Sequence, residues 1–175
     1  MRNSKFLKTI LATSLMAASI SVAVAGDMYG SINYAALKGD TGGFGNVKPS
    51  VVFGSLGYMV NKNFSVEGRL GGGASDDTVT VLTVPVTVKI NHYYGIYLKG
   101  IAPLNDTFSV YGLVGGSGAK ATASGGGISV SDSNTSGSYG VGMSAAVGKN
   151  AQVTLEWARL FKDMDGVSVG VSFKF

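Results

Sequence analysis

From residue 28 onward the chain alternates apolar and polar or small positions with a period of two, in eight separate stretches. Phe64, Val66, Gly68, Leu70, Gly72 and Ala74 fall on one face, and Ser65, Glu67, Arg69, Gly71 and Gly73 on the other. The last stretch sets Val167, Val169, Val171, Phe173 and Phe175 against Ser168, Gly170, Ser172 and Lys174. Successive side chains of a strand point to opposite sheet faces, so each stretch predicts a strand with one apolar face. The same reading covers 28–38, 51–60, 90–100, 108–118, 138–148 and 152–161. In 90–100 it sets Ile90, Tyr94, Ile96 and Leu98 against Tyr93, Gly95, Tyr97 and Lys99. In 152–161 it sets Val153, Leu155 and Trp157 against Thr154, Glu156 and Ala158, and Arg159 breaks the phase.

The connections alternate in length. Asn61 to Asn63, Ile101 to Thr107 and Gly148 to Asn150 are short; Lys38 to Pro49, Ser75 to Val84 and Lys120 to Gly137 are long, polar and expected to be loops. The fourth connection on that side, Lys162 to Gly166, is brief. An even strand number with short turns at one end and longer loops at the other predicts an all-β fold, an eight-stranded antiparallel up-and-down transmembrane barrel. The termini and short turns would face the periplasm. One face of the strands is apolar and nearly free of charge, and the other reads as glycine, serine and small residues. That suits a lipid-facing wall around a narrow polar lumen, and in lipid only a helix or a closed barrel satisfies every backbone group. A soluble periplasmic lipocalin-like binding barrel is the alternative for the same strand count.

The composition fits. The 27 glycines all lie in the 150 residues after position 25, 18 % of them, against ~7 % in average proteins. Charged residues are only 14 %, and cysteine is absent, which excludes a disulfide scaffold and a thiol enzyme. Residues 1–25 have the three parts of a secretory signal peptide: Arg2, Lys5 and Lys8, an apolar Ile10–Val22 stretch, and Ala23-Val24-Ala25 as the cleavage site. The domain expectation is therefore a cleaved signal at 1–25 and a barrel at 26–175. Losing those three basic residues leaves 11 basic against 10 acidic residues, a net +1, so the apparent basicity gives no support to a nucleic-acid partner.

The run Val167-Ser-Val-Gly-Val-Ser-Phe-Lys-Phe175 resembles the C-terminal signal of outer-membrane barrels. Tyr93-Tyr94-Gly-Ile-Tyr-Leu-Lys-Gly100, Ala102-Pro103-Leu104, Val110-Tyr-Gly-Leu-Val-Gly115 and Val66-Glu-Gly-Arg-Leu-Gly71 are similar to segments of the small porin-family barrels of the OmpA, OmpX and opacity-protein type. The resemblance spans 26–175. It implies the cell outer membrane, with Val169, Val171, Phe173 and Phe175 as the assembly signal read by the barrel-assembly machinery. The implied partners are outer-membrane lipid and lipopolysaccharide, with periplasmic chaperones during biogenesis. The family includes adhesins, structural barrels and lipid enzymes, so a fold of this kind does not fix an activity.

The candidate chemistry is sparse. Glu67, Arg69, Lys99, Glu156 and Lys174 occupy the inward phase, where unpaired charge is costly, so they are expected to pair across the lumen. That network reads either as a gate for small ions or as a static brace. His92, the single histidine, lies in outward register beside Tyr94 without the serine that a lipid-acting triad would need nearby. Asp76-Asp77 and Asp163/Asp165 lack the ligand spacing of a calcium loop and read as solvated charge. Tyr58, Phe64 and Phe108 near one rim, and Tyr94 and Tyr139 near the other, fit aromatic girdles at headgroup depth. No cofactor and no catalytic function are expected. The reading is a structural or small porin-like barrel, or a surface adhesin whose 38–49, 75–84 and 120–137 loops bind a ligand that the sequence does not identify.

Overall fold

A computed structural model describes residues 28–40, 46–81, 84–161 and 164–175. The expected signal peptide, part of the 38–49 loop, and Lys162 with Asp163 lie outside the described residues. The strands are Met28–Asp40 (β1), Asn46–Val47 (β2), Ser50–Asn61 (β3), Phe64–Ser75 (β4), Asp77–Val81 (β5), Val84–Pro103 (β6), Phe108–Gly125 (β7), Ile128–Ala146 (β8), Ala151–Phe161 (β9) and Met164–Lys174 (β10). β2 and β3 both pair with β1, and β4 and β5 both pair with β6, so ten segments build eight staves. Every pairing is antiparallel, and β10 returns to β1 from Tyr29↔Lys174 to Gly39↔Met164, which closes the barrel.

The turns at one end follow from local side-chain chemistry. Asn61 Oδ1 accepts hydrogen bonds from the backbone N–H of Asn63 and Phe64, and Asn105 Oδ1 does the same for Thr107 and Phe108. Such side-chain mimicry of a turn is why asparagine is favoured there.

The outer face of the wall is apolar, with Leu70 73 % and Ile96 70 % exposed, while Glu67 and Arg69 on the inner face are 3 % and 4 % exposed. A soluble binding barrel would have the opposite polarity. The lumen is not lined mainly by small residues, as the sequence suggested. Tyr29, Phe53, Tyr93, Tyr97, Tyr111 and Leu113 fill it, all buried. The glycines make that possible. Gly57 stands directly across from Tyr29 and Gly142 directly across from Tyr111, and a Cβ on either glycine would overlap the facing ring. Gly57→Ala is therefore expected to displace the Tyr29 ring at a cost of about 1–3 kcal/mol, the usual range for overpacking. Urea unfolding followed by the gel-mobility difference between folded and boiled protein would measure it.

Four further sequence expectations need correction. Ile90 is 3 % exposed and faces inward, because the β6–β7 register shifts at Asn91 and puts Ile90 opposite Ala121. Arg159 does not break phase: it follows Trp157 on the outer face, and Ala158 and Leu160 beside it are buried. Most substantially, Lys120 to Gly137 is not a loop. β7 and β8 remain paired from Phe108↔Ala145 to Gly125↔Ile128 around Gly126 and Gly127, whose φ angles are +60° and +80°. Two successive positive φ values make the tight hairpin turn whose twist matches the strands, and glycine reaches them without strain. The polar composition that suggested a loop instead forms cross-strand hydroxyl pairs, Thr122–Ser131 at 2.8 Å and Ser124–Ser129 at 2.9 Å.

Likewise much of 75–84 is strand, since β5 and β6 pair from Asp77↔Val88 to Val81↔Val84. Pro85 sits beyond the last β6–β7 pair, Thr87↔Ser124, where its missing N–H disturbs no ladder on that side. The long-hairpin end is consequently uneven. β6, β7 and β8 have 20, 18 and 19 residues, against 13 in β1 and 11 in β9 and in β10.

Candidate functional site

The lumen holds two buried cations and two buried anions. Glu67 and Arg69 come from β4, Lys99 from β6 and Glu156 from β9. In the order of staves β4 and β9 stand on opposite walls, so Arg69 is a crossbar. Its Nη1 and Nη2 donate to Glu156 Oε1 and Oε2 at 2.6 and 2.8 Å, and its Nε donates to Glu67 Oε1 at 2.7 Å. This is the bidentate fork that a planar guanidinium offers a carboxylate. Lys99 Nζ donates to Glu67 Oε2 at 3.1 Å. Four formal charges sum to zero inside a wall that excludes water.

Aromatic side chains complete the arrangement. The Tyr29 hydroxyl donates to Glu67 Oε2 at 2.6 Å, and that of Tyr111 donates to Glu156 Oε2 at 3.2 Å. The Arg69 guanidinium lies 4.5 Å from the Tyr97 ring centre, and the Lys99 ammonium 4.1 Å from that of Tyr111. A cation over an aromatic face is attracted by the ring quadrupole, and more strongly where water is excluded. Tyr97 is fully buried, and its hydroxyl is within 3.0 Å of both Tyr93 Oη and Ser138 Oγ. Among the described residues no buried side-chain nitrogen or oxygen lacks a hydrogen-bond partner.

Toward the long hairpins the lumen changes character. Ala35, Leu37, Val51, Phe53, Ile90, Tyr93, Ala158 and Leu160 meet there as one buried cluster, with Ala119 and Met164 packed against it. The lumen is thus occupied at two levels, by a charged layer and by an apolar layer nearer the long hairpins.

Of the five inward charges, the structure joins Glu67, Arg69, Lys99 and Glu156 and leaves Lys174 out. Lys174 keeps the inward phase but is the last residue of β10, opposite Tyr29 at the rim and exposed to solvent, so hydration replaces pairing. The alternation already puts Tyr93 and Tyr97 on the inward face with Lys99, but it gives the tyrosines no part in the charge network, because one strand alone does not show what a hydroxyl meets across the lumen. The signal that could have found them is a tyrosine facing a glycine on the next strand, which requires the register.

Tyr58, Phe64, Tyr94, Phe108 and Tyr139 are all on the outer wall, each about half exposed. Val169, Val171, Phe173 and Phe175 are there too, between 39 % and 51 % exposed. His92 is also on the outer face, opposite Lys120 in the β6–β7 register. Asp77 accepts hydrogen bonds from the backbone N–H of Lys48 and Thr78, and Asp76 lies 4.0 Å from Lys89. Asp165 pairs with Arg159 at 2.8 Å. These acids are therefore engaged with protein groups, and among the described residues no cluster of three or more His, Cys, Asp or Glu side chains could hold a metal ion.

Comparison with known proteins agrees with this geometry. The attachment invasion locus protein Ail of Yersinia pestis has a similar structure, with a TM-score of 0.61 and 23 % identity over 86 % of this chain and 99 % of that one. Neisserial surface protein A gives 0.60 and 19 % over 85 % and 97 %, and OprG of Pseudomonas aeruginosa 0.57 and 13 % over 86 % and 96 %. At such identities the likeness is one of fold. No curated protein sequence matches the chain. The family model of the outer membrane protein beta-barrel domain matches residues 9–175. With its apolar exterior, paired polar interior and closed ring of eight staves, the chain belongs to the outer-membrane β-barrel family.

Proposed function

We propose that the protein is a sealed outer-membrane scaffold that acts as a surface interaction protein, through the tall sheet formed by β5, β6, β7 and β8. The observation that carries this reading is the unequal height of the wall. The β8–β9 ladder ends at Tyr139↔Arg159, while β8 continues against β7 up to Ile128. Among the described residues, 128–138 of β8 are therefore bonded on one side only. With the short turns in the periplasm, as in this fold generally, that sheet stands outside the cell. An unpaired strand edge is a template for another extended chain, and an exposed one is normally blunted or used. Its inward-facing side adds apolar surface, with Ile128 70 % and Val130 62 % exposed.

The lumen, occupied at two levels, supports a structural rather than a conducting barrel, which makes the charged quartet a brace. The role is one of binding rather than catalysis. During biogenesis Val169, Val171, Phe173 and Phe175 offer the barrel-assembly machinery an alternating apolar edge ending in phenylalanine, after delivery by periplasmic chaperones. Two fold relatives carry names, attachment invasion locus protein and Neisserial surface protein A, that fit a surface role.

The test is to replace residues 122–131 by Asn-Gly, which closes the hairpin just above Ala121↔Asp132, removes the β6–β7 pairs from Thr87↔Ser124 to Lys89↔Thr122 and leaves every pairing below them in place. Bacteria displaying the shortened protein should lose adherence to epithelial monolayers and to one another, while the folded gel band remains. Unchanged adherence would overturn the surface-interaction reading.

A further inference from the structure

On the outer wall of β6 and β7, side chains change in a fixed order with height. The lowest part is apolar, with Ile96, Leu98 and Val114 well exposed. Next comes Tyr94, whose ring covers Gly118 on the neighbouring strand and whose hydroxyl is 3.4 Å from Thr135 Oγ1. The next outward residues are His92 and Lys120, directly opposite each other in the ladder and both exposed. Above them is a hydroxyl layer, with Thr122 and Ser131 paired at 2.8 Å, Ser124 and Ser129 at 2.9 Å, and Thr78 and Thr87 at 2.9 Å.

Nearby charges differ in how they are occupied. Arg159 is held by Asp165, and Lys89 faces Asp76 at 4.0 Å. Among the described residues no carboxylate pairs with Lys120 or His92. Asp132, the nearest acid in sequence on β8, stands opposite Ala121 and so faces the other side of the sheet.

We propose that His92 and Lys120 bind a phosphate group of a phosphorylated glycolipid in the surrounding leaflet, with Tyr94 at the base of the site and the hydroxyl ladder above it. The vertical order of the wall carries the choice of ligand. Apolar surface, amphipathic ring, a lysine–imidazole pair and hydroxyls match, layer for layer, acyl chain, headgroup boundary, phosphate and sugar. An ordinary phospholipid would use the first three layers and make no contact with the hydroxyl layer, whose paired oxygens keep lone pairs that sugar hydroxyls can use. The lysine supplies a compact cation and the imidazole a ring N–H donor, the kind of group that phosphate oxygens accept from. The proposal rests on the barrel's place in the outer membrane and not on the surface-interaction reading: His92 and Lys120, which its test changes, lie outside the segment 122–131, although two of the three hydroxyl pairs lie within it.

The test compares wild type with His92→Gln/Lys120→Gln, each purified and placed in phosphatidylcholine nanodiscs containing diphosphoryl lipid A, dephosphorylated lipid A or neither. Retained glycolipid is measured by mass spectrometry, and the unfolding temperature by gel mobility. In plain nanodiscs the two proteins should unfold together, because both residues are exposed. Diphosphoryl lipid A should be retained by wild type and raise its unfolding temperature. The double variant should retain at least about tenfold less, in line with the loss of one lysine at an anionic lipid surface together with one N–H donor to the phosphate. Lys120→Arg should keep most of the binding, and Lys62→Gln/Lys149→Gln at the other rim all of it. Equal retention by the double variant would overturn the proposal. So would equal retention of dephosphorylated lipid A, or an equal temperature rise from inorganic phosphate alone.

Discussion

Replacing Arg69 by methionine is expected to destabilise the barrel by about 3–5 kcal/mol, the range for removing one partner of a buried ion pair. The side chain is 4 % exposed and supplies three hydrogen bonds, two to Glu156 and one to Glu67. Without it Glu156 keeps only the Tyr111 hydroxyl, at 3.2 Å, and the lumen carries one uncompensated negative charge. The loss measures the charge left behind more than the strength of the pair. A double variant, Arg69→Met with Glu156→Gln, restores neutrality, with Lys99 still facing Glu67 at 3.1 Å. It should recover at least half of the lost stability, since well-packed neutral replacements for buried ion pairs are often tolerated. Urea unfolding in bilayers, read by the fraction of protein with folded gel mobility, distinguishes the two cases. A double variant as unstable as the single one would mean that geometry, and not charge balance, makes Arg69 important.

Why the sequence revealed this much follows from periodicity. In 64–74 the alternation set Glu67 and Arg69 inward without any knowledge of pairing, and in the structure both are buried. Strand faces depend on local order alone, so they can be read from one stretch at a time. Contacts across the lumen depend on the barrel's closure. Nothing in the sequence says that Arg69 meets Glu156, because β4 and β9 become opposite walls only when the whole ring has formed. The tyrosine–glycine pairs were hidden because they depend on the register between neighbouring strands, which one stretch alone does not give. Ile90 was assigned to the wrong face because a single bulge at Asn91 reverses the phase, as one extra residue in a strand must. The hairpin 120–137 was misread because serine and threonine serve loops and polar sheet faces alike. Only the φ angles of Gly126 and Gly127 reduce eighteen residues of apparent loop to a two-residue turn.

These features bear on whether the barrel conducts. Eight staves enclose a space about the width of their own side chains. Here that space is filled by the charged quartet and, nearer the long hairpins, by the cluster around Leu37, Ile90, Tyr93 and Leu160. A hydrophobic constriction excludes ions by dewetting, independently of any nearby salt bridge. Wild-type protein in planar bilayers is therefore expected to give no sustained conductance. Glu67→Gln or Arg69→Gln alone should also stay closed, because the apolar layer is intact. Adding Leu37→Ala and Leu160→Ala to Arg69→Gln removes both barriers, and discrete current steps should appear from preparations that retain the folded gel band. Steps of equal size from Arg69→Gln alone would locate the barrier in the charges and give the quartet the role of a gate. Sustained current through wild type would refute the sealed lumen itself, and with it the argument that the barrel's work is done at the surface.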